Sequence, residues 1–156
     1  MNKEFHLHTK EGNDPLRSGI SPLLQALVLF TKLFHKPYTA EALTAGLPVS
    51  PGESYPTLFS KEKSKSLFSR AAQQAGLKST FVKRSLEEIS PLQLPMIILL
   101  KGDQACILEA IAPDRSSYKI IFPEAQEMQE WVPSAKLHEE YLGEGYFIKK
   151  PFEYTQ

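Results

Sequence analysis

The chain has only one cysteine, Cys106, so no internal disulfide can form, and this fits a reducing compartment. It also lacks an excess of charge: 18 Lys and Arg face 18 Asp and Glu. A balanced molecule exerts no long-range pull on DNA, RNA or anionic lipid, which argues against nucleic acid as a partner. Long hydrophobic runs are missing too. Met96–Leu100 is far shorter than the roughly 20 residues a membrane helix requires. Leu23–Phe30 is interrupted by Gln25 and soon followed by Lys32. The opening residues, Met1–Asn13, carry charge and no apolar segment, unlike a signal peptide. The expectation is a domain with no membrane insertion of its own. There is no glycine-rich phosphate loop, no GxGxxG or Walker-type string and no internal repeat.

What is present is the material of one globular domain. The chain has 156 residues, is 42% hydrophobic, and spreads nine Phe, six Tyr and one Trp along its length. Residues 1–13 read as a flexible polar tail, 14–150 as the folded domain and 151–156 as the start of a linker. From Pro22 onward Leu23, Leu24, Ala26, Leu27, Leu29, Phe30 and Leu33 recur at spacings of one, three and four, predicting a central helix that is apolar nearly all round. Ser21 is its expected N-cap, Pro22 its first residue, and Pro37 limits its reach. Thr39 caps a short second helix that ends before Gly46. Helical spacing returns over the later part of 57–75, with Gly76 as the stop.

After Gly76 the period changes to that of strands. The segments Leu77–Val82, Pro95–Leu100, Ala105–Ala112, Tyr118–Phe122, Met128–Val132 and Tyr146–Lys149 are short, rich in Ile, Val, Tyr and Phe, and bounded by turns. A short helix over Pro133–His138 and a Gly143-Glu144-Gly145 turn interrupt them. Helices first and closely spaced strands afterwards predict an α+β fold with an antiparallel sheet.

Residues for catalysis are scarce. A thiol nucleophile needs a histidine within reach and a group to orient it. Cys106 lies among Ala105, Ile107 and Leu108 in a strand, where a small buried hydrophobe is expected. A nucleophile gains more from the opening turn of a helix. His6 and His8 could share one side of an extended segment, but without further ligands they make no metal site. His35 and His138 fall at helix ends. The adjacent acids Glu87-Glu88 and Glu139-Glu140 point apart on a helix and read as solvated faces. Neither cofactor nor metal is expected.

A resemblance sharpens this picture. It is carried by Ser21-Pro22-Leu23-Leu24-Gln25-Ala26-Leu27, by Lys36-Pro37-Tyr38-Thr39-Ala40-Glu41-Ala42-Leu43 with Ala45-Gly46-Leu47-Pro48, by Leu67–Leu77, and by Ile89-Ser90-Pro91-Leu92-Gln93-Leu94-Pro95. In order and spacing these strings resemble the papain-like peptidase domain, clan C family thirty-nine, of bacterial double-glycine exporters. They are most similar to its degenerate version at the N-terminus of type I secretion ABC transporters, which export RTX toxins and giant adhesins. The resemblance spans about Asp14 to Lys150. It implies a papain-like cysteine-protease fold, a helical half with a long central helix packed on an antiparallel sheet. It also implies a cytoplasmic domain of a bacterial inner-membrane transporter, itself dimeric.

In the active family a cysteine opens the central helix, a glutamine precedes it by six residues, and a histidine and an aspartate sit on later strands. By position these fall on Pro22, Leu16, Ala105 and Pro123, none of which can do the same chemistry. The resemblance therefore implies a peptidase-like domain that no longer cleaves and instead binds the unfolded export substrate. Leu33, Phe34 and Tyr38 near the helix end, with Leu99 and Ala105 near the old histidine position, are the expected contacts. Two alternatives stay open: a docking domain that touches only the transporter, and a thiol protease using Cys106.

Overall fold

The structure is a computed structural model that describes residues 20–49, 51, 55, 62–123 and 128–150, with the backbone alone for 62–66. The expected tail at 1–13, the linker at 151–156, Leu16, His6 and His8 lie outside the described residues.

The first element is the central helix α1, Pro22–Leu33. Ser21 is extended at φ −68°, ψ 155°, and its hydroxyl accepts a hydrogen bond from the Leu24 N–H at 3.2 Å. That satisfies one orphan donor of the first turn, and Pro22 has no N–H to leave unsatisfied. Leu23, Leu24, Leu27 and Phe30 are fully buried. Each such side chain contributes about 1.5–3 kcal/mol relative to exposure, so packing rather than propensity holds this helix. The helix stops short of Pro37. His35 takes a left-handed φ of 65°, and its N–H and that of Lys36 return to the carbonyls of Lys32 and Thr31. This is a Schellman ending.

Helix α2, Ala40–Thr44, is capped by Thr39, whose hydroxyl accepts from Ala42 N–H at 3.1 Å. Helix α3, Glu62–Gln74, ends in a second Schellman turn: Gly76, at φ 73°, and Leu77 bond back to Gln73 and Ala72. Glycine adopts that backbone without the Cβ penalty.

Six strands follow: β1 Lys78–Lys83, β2 Met96–Leu100, β3 Gln104–Ile111, β4 Ser117–Phe122, β5 Met128–Pro133 and β6 Tyr141–Lys149. All pairings are antiparallel, and the order across the sheet is β1-β6-β2-β3-β4-β5. Helix α4, Ser134–Glu140, joins β5 to β6. The expected Gly143-Glu144-Gly145 turn is instead part of β6, which begins at Tyr141. Gly143, at φ 86°, falls in an irregular stretch of the β2–β6 pairing between Ile98 and Leu100. A bulge needs the same residue type as a turn, so the two are indistinguishable from local sequence.

Side chains alternate across the sheet and split the core in two. Toward α1 and α3 point Ile97, Leu99, Ala105, Ile107, Ile121, Tyr146 and Ile148. The opposite face carries Met96, Ile98, Leu100, Cys106, Leu108, Tyr118, Ile120 and Phe122, covered by Leu86, Ile89 and Leu137. Both faces are covered, which explains why Met96–Leu100 is apolar throughout rather than alternating. Phe68 of α3 ties the helical half to the sheet by stacking on Tyr146, with ring centroids 4.0 Å apart.

Candidate functional site

The N-terminus of α1 is where a helix dipole would best support a thiolate. Pro22 stands there at the first helical position. The helix packs most closely on β3, and the buried Ala105 faces it from that strand, paired across the ladder with Leu99. Ala105 is 1% exposed, Leu99 is 0% exposed and Pro123 is buried. Pro22 thus opens the helix and Ala105 faces it from the sheet, and neither these two nor Pro123 holds an ionisable side chain.

Cys106 follows Ala105 by one residue, and strand alternation turns it to the other face, into the core with Ile98, Leu108 and Ile120. A thiol there does not face α1. The two described histidines sit at the surface. His138 has both ring nitrogens engaged: Nδ1 lies 2.8 Å from the Ser134 carbonyl oxygen, and Nε2 lies 2.8 Å from Glu87 Oε2. A carbonyl and a carboxylate both accept, so this geometry favours the protonated ring over the neutral one. The Ser134 carbonyl and the Glu87 carboxylate accordingly raise the His138 pKa, against a lowering by burial. Ser134 Oγ lies 3.2 Å from Nδ1, yet a Ser-His-Glu triad needs an unprotonated nitrogen toward the hydroxyl. Among the described residues no group of three His, Cys, Asp or Glu could hold a metal.

The expected peptide-contact residues fall into two groups. Leu99 and Ala105 are sealed beneath α1. Leu33, Phe34 and Tyr38 are half-buried at the opposite end of the helix, packed against the helix-side core. Phe34 sets its ring edge-on to Phe30, centroids 5.1 Å apart at 88°. The Tyr38 N–H donates to Thr31 Oγ1 at 3.0 Å, and that hydroxyl donates to the Val28 carbonyl at 2.6 Å. The Thr31 side chain thereby ties the segment after the helix to its last turns.

Phe34 also lines a recess of about 120 Å³, together with Thr31 and Lys36 from the end of α1, Gly76 and Leu77 from the end of α3, and Lys150 just after β6. The Lys150 ammonium lies 5.7 Å from the centroid of the Phe34 ring, a cation–π contact. Apart from Phe34, sequence reasoning found none of these residues. The one local signal was Gly76 as a helix stop; nothing near Lys150 in the chain announces Phe34 as its neighbour.

No protein-family model matches the chain, and no curated protein does. Solved structures are similar. The N-terminal peptidase C39-like domain of the toxin secretion ATP-binding protein from Vibrio parahaemolyticus aligns at TM-score 0.70 and 32% identity, covering 83% of this chain and 97% of that one. A double-glycine-motif protease from an AMS/PCAT transporter, in complex with its leader peptide, aligns at TM-score 0.62 and 16% identity, over 84% of this chain and 85% of its own. The peptidase domain of Streptococcus ComA, a bifunctional ABC transporter of a quorum-sensing pathway, aligns at 0.62 and 12%, over 84% and 92%. The last two likenesses concern the fold alone, the papain-like α+β arrangement expected from the sequence. The first combines that fold with substantial identity over nearly a whole domain, and the chain belongs to the family of peptidase C39-like domains found in ABC transporters.

Proposed function

We propose that this domain holds polypeptide without cutting it, binding or positioning the unfolded substrate of a type I secretion ABC exporter for ATP-driven export. The observation that carries the reading is Pro22 at the first position of α1, with the chain's only cysteine turned to the opposite face of the sheet. Fold alone does not settle activity, so the argument rests on these positions. A cleft that keeps its outline and has no thiol can retain a chain that lacks a cleavable leader. The contact surface proposed is Leu33, Phe34 and Tyr38, with Leu99 and Ala105 as the packed floor under the helix. The binding is weak and reversible, because ordering an unfolded chain opposes association. The partners are an RTX-type cargo and the remainder of a dimeric transporter chain, on the cytoplasmic side of the inner membrane.

Two measurements test the proposal. Incubation with a double-glycine leader peptide, followed by mass spectrometry, is expected to leave the peptide intact. Titration of labelled unfolded cargo segments, followed by amide chemical shifts, is expected to perturb residues around Leu33, Phe34 and Tyr38. Cleavage overturns the non-catalytic reading, and an absence of shifts overturns the binding one.

A second reading, docking on the rest of the transporter, is favoured by Leu92. It is 93% exposed on a 3-10 turn, Pro91–Gln93, that is pinned by hydrogen bonds between Ser90 and both Leu92 and Gln93. Leu92→Ser separates the two: it leaves cargo titrations unchanged if cargo binds at the helix end, and weakens association with the transporter if the turn is the dock.

A further inference from the structure

The recess at the end of α1 is built from two helix C-termini and is lined by two lysines. Helix C-termini carry partial negative charge, and lysines often sit there to bond the last carbonyls. Here those carbonyls are already occupied. Lys36 N–H bonds Thr31 O at 3.0 Å and His35 N–H bonds Lys32 O at 2.9 Å, while Leu77 and Gly76 serve Ala72 and Gln73 at 3.0 and 2.9 Å. The side chains of Lys36 and Lys150 are therefore not needed as caps. Both residues are exposed, and among the described residues neither forms an ion pair with a carboxylate. Among the described residues no acidic side chain lines the recess, and Phe34 and Leu77 give it apolar walls. Two lysines lining one apolar hollow, with no carboxylate among its described lining residues, complement an anion brought from outside.

We infer that this recess takes an acidic side chain flanked by an aliphatic residue in an extended polypeptide: the aliphatic group lies on Phe34 and Leu77, and the carboxylate lies between Lys36 and Lys150. The inference rests on the proposed peptide-holding function and names the chemistry it selects. His35 supports it from the backbone. Its left-handed φ of 65° is the turn that ends α1. Here it directs the chain so that Lys36 lines the recess.

The test uses the intact chain and three fluorescein-labelled, C-terminally amidated unstructured peptides, alike except that Asp-Leu pairs in the first become Asn-Leu in the second and Lys-Leu in the third. Fluorescence anisotropy at low salt is expected to show the Asp peptide binding about tenfold more tightly than the Asn peptide, equivalent to about 1.4 kcal/mol. That preference is expected to shrink as salt screens it. The double variant Lys36→Glu, Lys150→Glu is expected to lose the preference and to favour the Lys peptide; circular dichroism checks that it remains folded. Equal binding of Asp and Asn peptides, unaffected by the double variant, overturns this inference while the peptide-holding reading survives. Failure of all three to bind overturns both. A preference that appears only in versions of the three peptides made with a free C-terminal carboxylate overturns the assignment to an acidic side chain.

Discussion

Cys106 occupies the middle of β3, a strand flanked on one edge by β2 and on the other by β4, and its side chain is 0% exposed. A thiol in that position reacts with a probe only when the strand opens, and an inner strand opens with the sheet as a whole. Domains of this size have stabilities of ~5–15 kcal/mol, and each ~1.4 kcal/mol is a factor of ten. Even the lower bound therefore protects the thiol more than about a thousandfold relative to the unfolded chain. The assay is the rate of absorbance change with a chromogenic disulfide reagent at mildly alkaline pH, in buffer and in concentrated urea. Native labelling as fast as labelling in urea refutes the assignment of Cys106 to the buried face. It would also restore Cys106 as a candidate nucleophile, and with it the thiol-protease alternative.

Other outcomes follow from particular contacts. Gly145 in β6 runs so close to β2 that an added Cβ would collide with the Ile97 carbonyl oxygen and lie 2.9 Å from Met96 Cε. Gly145→Ala is thus expected to lower stability by ~1–3 kcal/mol, read from the urea midpoint. The Tyr146 hydroxyl is buried with no hydrogen-bond partner among the described residues. Tyr146→Phe is expected to be neutral or stabilising by about 1 kcal/mol in the same assay, and a loss of that size would reveal a partner. The His138–Glu87 pair clasps α4 to the 3-10 turn Leu86–Glu88. The His138 pKa is raised, so its contribution is complete below the ordinary 6.5 and disappears as pH rises through the higher folded value. The Glu87 pKa is lowered, by a backbone hydrogen bond first and by His138 next, so its contribution is complete above 4.5 and fades as pH falls through the lower folded value. The clasp is thus strongest between those two ordinary values. An NMR titration is expected to place the His138 midpoint above 6.5, and Glu87→Gln is expected to bring it down.

Much of the local structure was legible because caps and stops depend on near neighbours. Ser21 and Pro22 mark the start of α1, Thr39 that of α2, and Gly76 the end of α3, each through hydrogen bonds to residues within a turn. The first five strands lie within one or two residues of their expected positions, since β-branched and aromatic runs between turns leave few other options. The start of β6 was hidden because Gly143 suits a bulge as well as a turn. His35 was hidden as a helix terminator because its side chain does not announce a left-handed backbone. Whether Ala105 or Cys106 faces the central helix could not be read from the sequence, since a one-residue change of register exchanges them.

By itself the sequence determined that this is an α+β domain and that its central helix opens at Ser21-Pro22. These follow from composition, periodicity and capping, all short-range in the chain. The tertiary structure decided that β6 inserts between β1 and β2, that both faces of the sheet are covered, and that Cys106 is buried away from α1. It alone brought Lys150 over Phe34 beside Lys36 to form a charged recess. Those outcomes depend on which distant surfaces exclude water together, and no pattern within a few residues encodes that choice.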